Sequence, residues 1–198
     1  MDLSFFNSHQ RQLLTGGFED VSQDDWRYNA RYNIETKWNL MFYANKGKRN
    51  ANSDFLDNRN FSIEQFTFGP EISLQPSPVF RSTLQYRLTN KKNLANVEID
   101  EAAQIHEGLL SFRMAKAIET TVNAQLKYTY ITYNGLVNSP TGYEMLQALS
   151  PGNNTSWSLN WLQKIGEGLQ LNLMYEGRRS EGLDHLVHTG RMQVSALF

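Results

Sequence analysis

The sequence contains no cysteine, which excludes disulfide bonds, thiolate zinc sites and cysteine nucleophiles. It has no run of about 18 apolar residues, so a membrane-spanning helix is also excluded. Neither sign of charge prevails, because 19 Lys and Arg stand against 20 Asp and Glu and the net charge is -1. This balance is unlike the basic surface of a nucleic-acid-binding protein. The length of 198 residues fits one domain or part of one.

The first 25 residues show only weak periodicity of apolar and polar residues. They lack the basic start, apolar stretch and small-residue cleavage site of a secretory signal. Gly16-Gly17 follows Leu13-Leu14, and no helical periodicity longer than about two turns occurs here or elsewhere. We therefore expect residues 1–25 to form a loop or a short helix.

From residue 26 onward the pattern has a period of two. Phe66 and Phe68, for example, alternate with Gln65 and Thr67. Side chains alternate between the two faces of a strand, so each alternating segment predicts a strand with one apolar and one polar face. Nine segments show this pattern: 27–34, 38–45, 65–74, 80–88, 110–115, 122–130, 156–161, 169–176 and 191–198.

Short and long connections alternate between these segments. The short ones are 35–37, 75–78, 117–119 and 166–168, and the long, polar ones are 50–59, 91–98, 135–152 and 181–187. This order predicts an all-β fold, an antiparallel up-and-down meander of about nine long strands over residues 26–198. Tight turns are expected at one end of the meander and elaborated loops at the other.

Two architectures use a sheet with one apolar face. A soluble sandwich or barrel, such as a binding module, buries that face. A transmembrane β-barrel instead turns it toward lipid and keeps the polar face inside. The segments here alternate over about nine residues, whereas soluble strands usually have about 5–6. We therefore favour the membrane barrel and keep the soluble domain as the alternative.

Aromatic residues lie near the ends of the predicted strands. Their rings suit the headgroup region of a bilayer, where membrane barrels carry aromatic girdles, although aromatic residues also favour strands in general. The predicted girdle consists of Trp26, Tyr28, Trp38, Phe80, Tyr130, Trp157, Trp161 and Tyr175.

Charged residues recur on the opposite face of successive segments. We expect them to line the interior, where ion pairs would hold either an open pore or a filled wall. The predicted interior residues are Arg27, Arg31, Glu71, Arg81, Arg87, Arg113, Lys127, Glu176 and Arg191.

The last residues carry a recognisable motif. Met192, Val194, Ala196 and Phe198 share one face of the final segment. This pattern resembles the terminal strand of Gram-negative outer-membrane β-barrel proteins, which ends in an aromatic residue that the barrel-assembly machinery reads. Stretches 143–153, 169–173 and 187–190 resemble the C-terminal region of large, mostly uncharacterised envelope barrels. The resemblance implies a bacterial outer-membrane location and architecture, with no known activity.

The resemblance also orients the strands. In that family the C-terminus is periplasmic, so the long loops and residues 1–25 are expected on the outer side. Single-chain barrels have an even number of strands, and nine is odd. We therefore expect the chain to be the C-terminal portion of a longer barrel, with upstream strands of the same protein as partners.

Residues with catalytic or metal-binding chemistry are few. His185 and His188 stand near Asp184 in a long connection, without evident further metal ligands. Ser111 and His106 would suggest a lipase-type pair, but their parity puts them on opposite faces. Basic clusters at 46–49 and 91–92 would face lipopolysaccharide or water.

The sequence therefore predicts a non-enzymatic outer-membrane β-barrel segment with a structural, transport or surface-assembly role. Its outer loops, especially 135–152, are expected to carry recognition. We expect no cofactor, metal or nucleic acid. The alternatives are a soluble β-sandwich or barrel binding module and, third, an outer-membrane lipase-type enzyme.

Overall fold

A computed structural model describes residues 1–14, 17–54, 60–95, 100–116, 119–166, 168–183 and 185–196. Over these residues the chain forms ten strands and one short helix. The elements are β1 (Asp2–Leu14), β2 (Gly17–Ile34), β3 (Trp38–Ser53), β4 (Phe61–Ser77), β5 (Phe80–Asn93), β6 (Ala102–Lys116), β7 (Thr120–Asn134), α1 (Pro140–Leu146), β8 (Gly152–Ile165), β9 (Leu169–Ser180) and β10 (Val187–Ala196).

All ten strands belong to one sheet whose spatial order follows the chain from β1 to β10, and every neighbouring pair is antiparallel. The predicted all-β meander is confirmed. The strand ends that flank 54–60, 94–101, 135–151 and 181–186 lie together at one end of the sheet, called here the long-loop end. The strand ends that flank 35–37, 78–79, 117–119 and 166–168 lie at the other, the short-turn end.

The strand register keeps the apolar residues of neighbouring strands on one common face. Phe42 of β3, for example, is paired with Ala30 on one side and Pro70 on the other. This apolar face is the exposed one, with Phe42, Leu84 and Leu126 each more than 40% accessible. The polar face is the more buried one, as Thr67 and Thr89 illustrate with a hydroxyl–hydroxyl hydrogen bond of 3.0 Å. The polarity is the reverse of that in a soluble sheet.

The apolar face stops sharply toward the long-loop end, which is called the upper end below. Its central stretch runs from Trp26 to Ile34 in β2, from Phe66 to Leu74 in β4 and from Val122 to Tyr130 in β7, and it contains no Asp, Glu, Lys or Arg on that face. Each stretch has the about 9–11 residues that a tilted strand needs to cross a bilayer. We call the whole stretch the apolar band: 26–34, 38–44, 66–74, 80–88, 106–114, 122–130, 157–165 and 169–177.

The expectation of a loop or short helix over residues 1–25 is wrong. Residues 2–14 form β1, and β2 begins at Gly17. The alternation is lost there because both faces are polar beyond the apolar band: Asp20 and Asp24 occupy the apolar-face positions, next to Glu19 and Gln23 on the other. With ten strands the number is even, so an odd strand count is no longer a reason to expect a longer chain.

A close contact between Trp157 and Gly177 shows how tightly the apolar face is packed. The two residues are partners across β8 and β9, and a Cβ atom added at Gly177 would overlap the indole ring. The ring therefore lies on the bare backbone of the glycine, an arrangement in which an aromatic side chain covers the gap that glycine leaves in a sheet.

We expect Gly177→Ala to lower the free energy of unfolding by about 1–3 kcal/mol, because the new methyl group must displace the Trp157 ring. Gly190→Ala is the matched control, since no heavy atom lies within 4 Å of its added Cβ, and it should change stability by no more than about 0.5 kcal/mol. Thermal unfolding of both variants in detergent measures the difference. Equal stability of the two variants would contradict the packing described.

Candidate functional site

The connection between β7 and β8 contains the helix of the structure, and local sequence explains where it begins and ends. Ser139 caps the N-terminus by accepting a hydrogen bond of 2.8 Å from the Gly142 amide, and Pro140 follows at a position where no amide is needed. Gln147, at φ 56°, ends the helix and donates its amide to the Tyr143 carbonyl. A compact helical turn therefore replaces an extended loop.

Helix α1 packs onto the polar face at the long-loop end. Met145, fully buried, contacts Ile63 and Ala103. Leu146, 1% exposed, packs with Ile105 and Ile131. These apolar residues interrupt an otherwise polar face at the place that the helix covers. Burial of Met145 and Leu146 draws α1 against the polar face, and the role of connection 135–152 in recognition stays a prediction.

Charged groups hold the opposite side of α1. Arg49 of β3 forms an ion pair with Glu144, and the Lys91 ammonium donates a hydrogen bond of 3.2 Å to the Glu144 carbonyl. Lys91 lies beyond Leu88, where the apolar band ends in β5. Burial lowers the pKa of Lys91, with Glu144 acting in the opposite direction. The helix is thus bound to β3 and β5 by charge and to β4, β6 and β7 by apolar contacts.

Two smaller networks order the long-loop end around α1. Glu101 accepts hydrogen bonds from the Asn93 amide at 2.8 Å and from the Tyr133 hydroxyl. Burial is the largest cause that raises the pKa of Tyr133, and the Glu101 carboxylate raises it further. Glu181 accepts from the backbone and side-chain amides of Asn153, which lower its pKa. These contacts tie connections 94–101 and 181–186 to neighbouring strands.

Two acidic residues on the half of the polar face toward the long-loop end, Asp25 and Glu107, are paired with bases. Asp25, 1% exposed, contacts Arg27 at 3.2 Å and accepts from Gln23 at 2.6 Å. Glu107 contacts Lys127 at 2.6 Å and Arg87 at 3.8 Å. The charges of Asp25 and Glu107 are therefore compensated within the wall.

The lower half of the polar face, toward the short-turn end, is different. Its arginines, Arg31, Arg81, Arg113 and Arg191, are exposed. Glu71 is bonded to the neutral groups of Gln85 and Ser73, each at 3.4 Å. Basic charge is thus less compensated here than near α1.

Cavities on the polar face lie mainly on one side of α1. One of about 460 Å³ is lined by β6–β10 and includes Lys127, Glu176 and Arg178. A second, of about 330 Å³, adjoins it under the segment that follows the helix and shares Lys127 and Arg178. On the other side, between α1 and Asp25, Arg49 and Lys91, the cavity has only about 90 Å³. Of these three cavities, the two along β7–β9 are therefore larger than the one between α1 and the β2–β5 side.

The predicted interior residues all lie on the polar face. In the register, Arg27, Arg31, Glu71, Arg81, Arg87, Arg113, Lys127, Glu176 and Arg191 occupy positions opposite in parity to the apolar band. Only some are brought together: the structure joins Arg87 and Lys127 through Glu107. Glu107 and the buried Asp25 were missed by the sequence reasoning, although their parity was the available signal.

The predicted girdle residues all lie on the apolar face. Trp26, Tyr28, Tyr130, Trp157 and Tyr175 are toward the long-loop end of the apolar band, and Trp38, Phe80 and Trp161 toward the short-turn end. His106 and His188 join the upper group: each ring hydrogen-bonds a tyrosine hydroxyl at 2.7 Å, from Tyr86 and Tyr175 respectively. The role of these residues at a membrane interface stays a prediction.

The predicted assembly motif lies in β10. Met192, Val194 and Ala196 are paired with Leu173, Leu171 and Leu169 of the apolar face. Phe198 lies outside the described residues. The motif's role in assembly stays a prediction.

The candidate chemical groups are separated. Ser111 is on the polar face opposite Thr83, whereas His106 is on the apolar face opposite Leu88. His188 lies in β10 and stacks on Tyr175, while Asp184 is outside the described residues. Among the side chains that the structure describes, no group of three or more His, Asp or Glu is placed to hold a metal ion. In the same part of the chain, no helix is long and apolar enough to span a membrane.

Comparisons with known proteins support the fold alone. No family model matches the sequence, and no curated protein matches it. Among solved structures, the chain is similar to the CymD monoaromatic hydrocarbon channel, with a TM-score of 0.52 and 9% identity. The match covers 99% of this chain and 69% of the channel. The arrangement of strands is therefore similar to that of a channel protein. The sequence identity is too low to assign the ligand of that channel to this chain.

The absence of cysteine makes the position of α1 directly testable by thiol labelling. We expect Tyr143→Cys, at a position that is 67% exposed, to react readily in the folded protein, and Met145→Cys, at a fully buried position, to react at least about tenfold more slowly. A local opening cost of about 1.4 kcal/mol gives that factor. Adding Arg49→Gln to Met145→Cys should speed its labelling, because the ion pair with Glu144 is lost. Equal rates at 143 and 145 would place α1 off the sheet.

Proposed function

We propose that this chain is part of a bacterial outer-membrane β-barrel that conducts solutes along its polar face, without enzymatic activity, and that α1 narrows the passage. One observation carries the proposal: the apolar face of the sheet is exposed and uncharged along the apolar band, while the polar face is the more buried one near the long-loop end, where a helix packs on it. In water this arrangement would expose a large apolar surface. In lipid it satisfies both faces.

The distribution of charge at the long-loop end supports a membrane boundary there. On the apolar face, ion pairs begin just above the apolar band, as in Lys46–Glu64 at 3.1 Å and Lys92–Asp100 at 2.8 Å. Lysines at this level are suited to the phosphates of lipopolysaccharide headgroups. Below them, Trp26 and Tyr130 lie where aromatic side chains favour the interface. We propose that the long-loop end faces outward.

The edges of the sheet support a larger closed barrel. β1 and β10 are the two ends of the strand order, and unpaired backbone groups are not tolerated in lipid. We propose that upstream strands of the same protein complete the wall. The similar channel structure is also longer than this chain, since the match covers only 69% of it.

The transport role rests on the open side of the polar face. The space along β7–β9 adjoins Lys127, Glu176 and Arg178, so the solutes that suit it are polar, unlike the hydrocarbons named for the neighbouring channel. The soluble binding module is less favoured because no described element covers the apolar face. The lipase-type alternative is less favoured because Ser111 and His106 point to opposite sides.

Paired cysteine variants distinguish the membrane barrel from the soluble domain. Phe112→Cys lies on the apolar face in the middle of the apolar band, and Ser111→Cys is the matched control on the polar face. In outer membranes we expect an aqueous thiol reagent to label position 111 and to leave 112 unlabelled, since lipid excludes the reagent. Labelling of both positions, or recovery of the full-length protein in the aqueous fraction without detergent, would overturn the proposal.

A second experiment tests the proposed assembly signal. Removal of Phe198 should reduce the amount of heat-modifiable, folded barrel in the outer membrane, because the assembly machinery is proposed to read the terminal aromatic residue. Phe198→Tyr, which keeps a ring, should retain assembly. Normal amounts of folded protein without Phe198 would contradict the role of the motif.

A further inference from the structure

Two arginines lie directly opposite each other on the polar face near the short-turn end. Arg81 of β5 and Arg113 of β6 are register partners, so their Cβ atoms are about 4.5–5.5 Å apart. Both side chains are exposed to the space above the polar face. Like charges in this relation destabilise a sheet unless something compensates them.

Nothing in the described part of the chain provides that compensation. The Arg81 guanidinium donates a hydrogen bond of 3.3 Å to the neutral Ser73 hydroxyl. The ion pairs over the described residues involve neither arginine. Glu71, an acid on the same half of this face, is bonded to Gln85 and Ser73.

The contrast with the other end of the same face strengthens the point. There, Glu107 lies between Arg87 and Lys127, and Glu144 contacts Arg49. A wall that places Glu107 and Glu144 against basic side chains near α1, but leaves Arg81 and Arg113 side by side, has a place for a mobile negative charge. Guanidinium groups bind phosphate and carboxylate oxygens in a bidentate manner, and rings of Arg or Lys favour anions in pores.

We propose that Arg81 and Arg113 form an anion-binding station at the short-turn mouth of the passage, which selects small oxyanions such as inorganic phosphate or carboxylates. The inference rests on the proposed transport function and names its substrate class. The counter-charge that the sheet lacks is supplied by the passing solute. Ser73, bonded to Arg81, positions that side chain on the wall.

Ion selectivity of the full-length protein in planar bilayers tests the station. With a potassium chloride gradient, the reversal potential of the wild type should show a preference for anions, and millimolar inorganic phosphate should reduce the chloride current. The double variant Arg81→Gln/Arg113→Gln should lose both effects, while Arg81→Lys/Arg113→Lys should retain the anion preference. Lys46→Gln/Lys92→Gln also removes two positive charges, on the apolar face near the long-loop end, and is expected to leave selectivity unchanged.

Thermal stabilisation by phosphate tests the same pair of arginines without a conductance measurement. In detergent, phosphate should raise the thermal midpoint of the wild type above its value in chloride of equal ionic strength, and the glutamine double variant should lose this increase. No conductance together with a retained phosphate increase would reject the transport function and support the station. A cation-preferring wild type, or equal phosphate effects in wild type and glutamine double variant, would overturn the station even if the channel conducts.

Discussion

The whole architecture depends on backbone hydrogen bonding between antiparallel strands, combined with side chains that alternate between two faces. In each paired strand this geometry sends one half of the residues to each side. Here the apolar half, including Phe42, Leu84 and Leu126, is left exposed, and the polar half faces the helix. Once the register is set, the character of both surfaces follows, because a shift by one residue would exchange them.

The same constraint explains where the polar face departs from its pattern. Ile63, Ile105 and Ile131 occupy positions that are polar elsewhere, and they form the surface on which Met145 and Leu146 pack. The helix is short, and its place is determined by these contacts and by Arg49 and Lys91. The polar face is therefore asymmetric near α1, with little space between the helix and β2–β5 and larger cavities along β7–β9.

Strands within the apolar band could be predicted from the sequence because one of their faces is apolar and the other polar. This difference gives the sequence a period of two. In residues 65–74, Phe66, Phe68 and Ile72 alternate with Gln65 and Glu71, and the structure forms β4 there. The hairpin of β1 and the first half of β2 could not be predicted in this way. Above the apolar band both of its faces are polar, so Asp20 and Glu19 give no period, and only the ladder of backbone hydrogen bonds defines the strands.

The interior site was predictable only in part. Parity placed Arg81, Arg113 and Lys127 on the polar face, but it says nothing about which charges meet across strands. The pairing of Lys127 with Glu107 and the opposition of Arg81 to Arg113 depend on the register between β5, β6 and β7. The inward course of α1 was signalled by Ser139-Pro140, a helix start, and by the isoleucines opposite it. Neither signal alone gives the direction in which the helix folds.

The central claim is that lipid covers the apolar face, and the native tryptophans can report on it. All four of them, Trp26, Trp38, Trp157 and Trp161, lie on that face. The first three are at ends of the apolar band, and Trp161 lies four residues further into its β8 stretch than Trp157. Their fluorescence should be measured in bilayers whose acyl chains carry bromine at defined depths. The account predicts strong quenching, greatest for bromine close to the headgroups, and weak quenching by aqueous acrylamide. Strong quenching by acrylamide with no effect of the brominated lipids would contradict it.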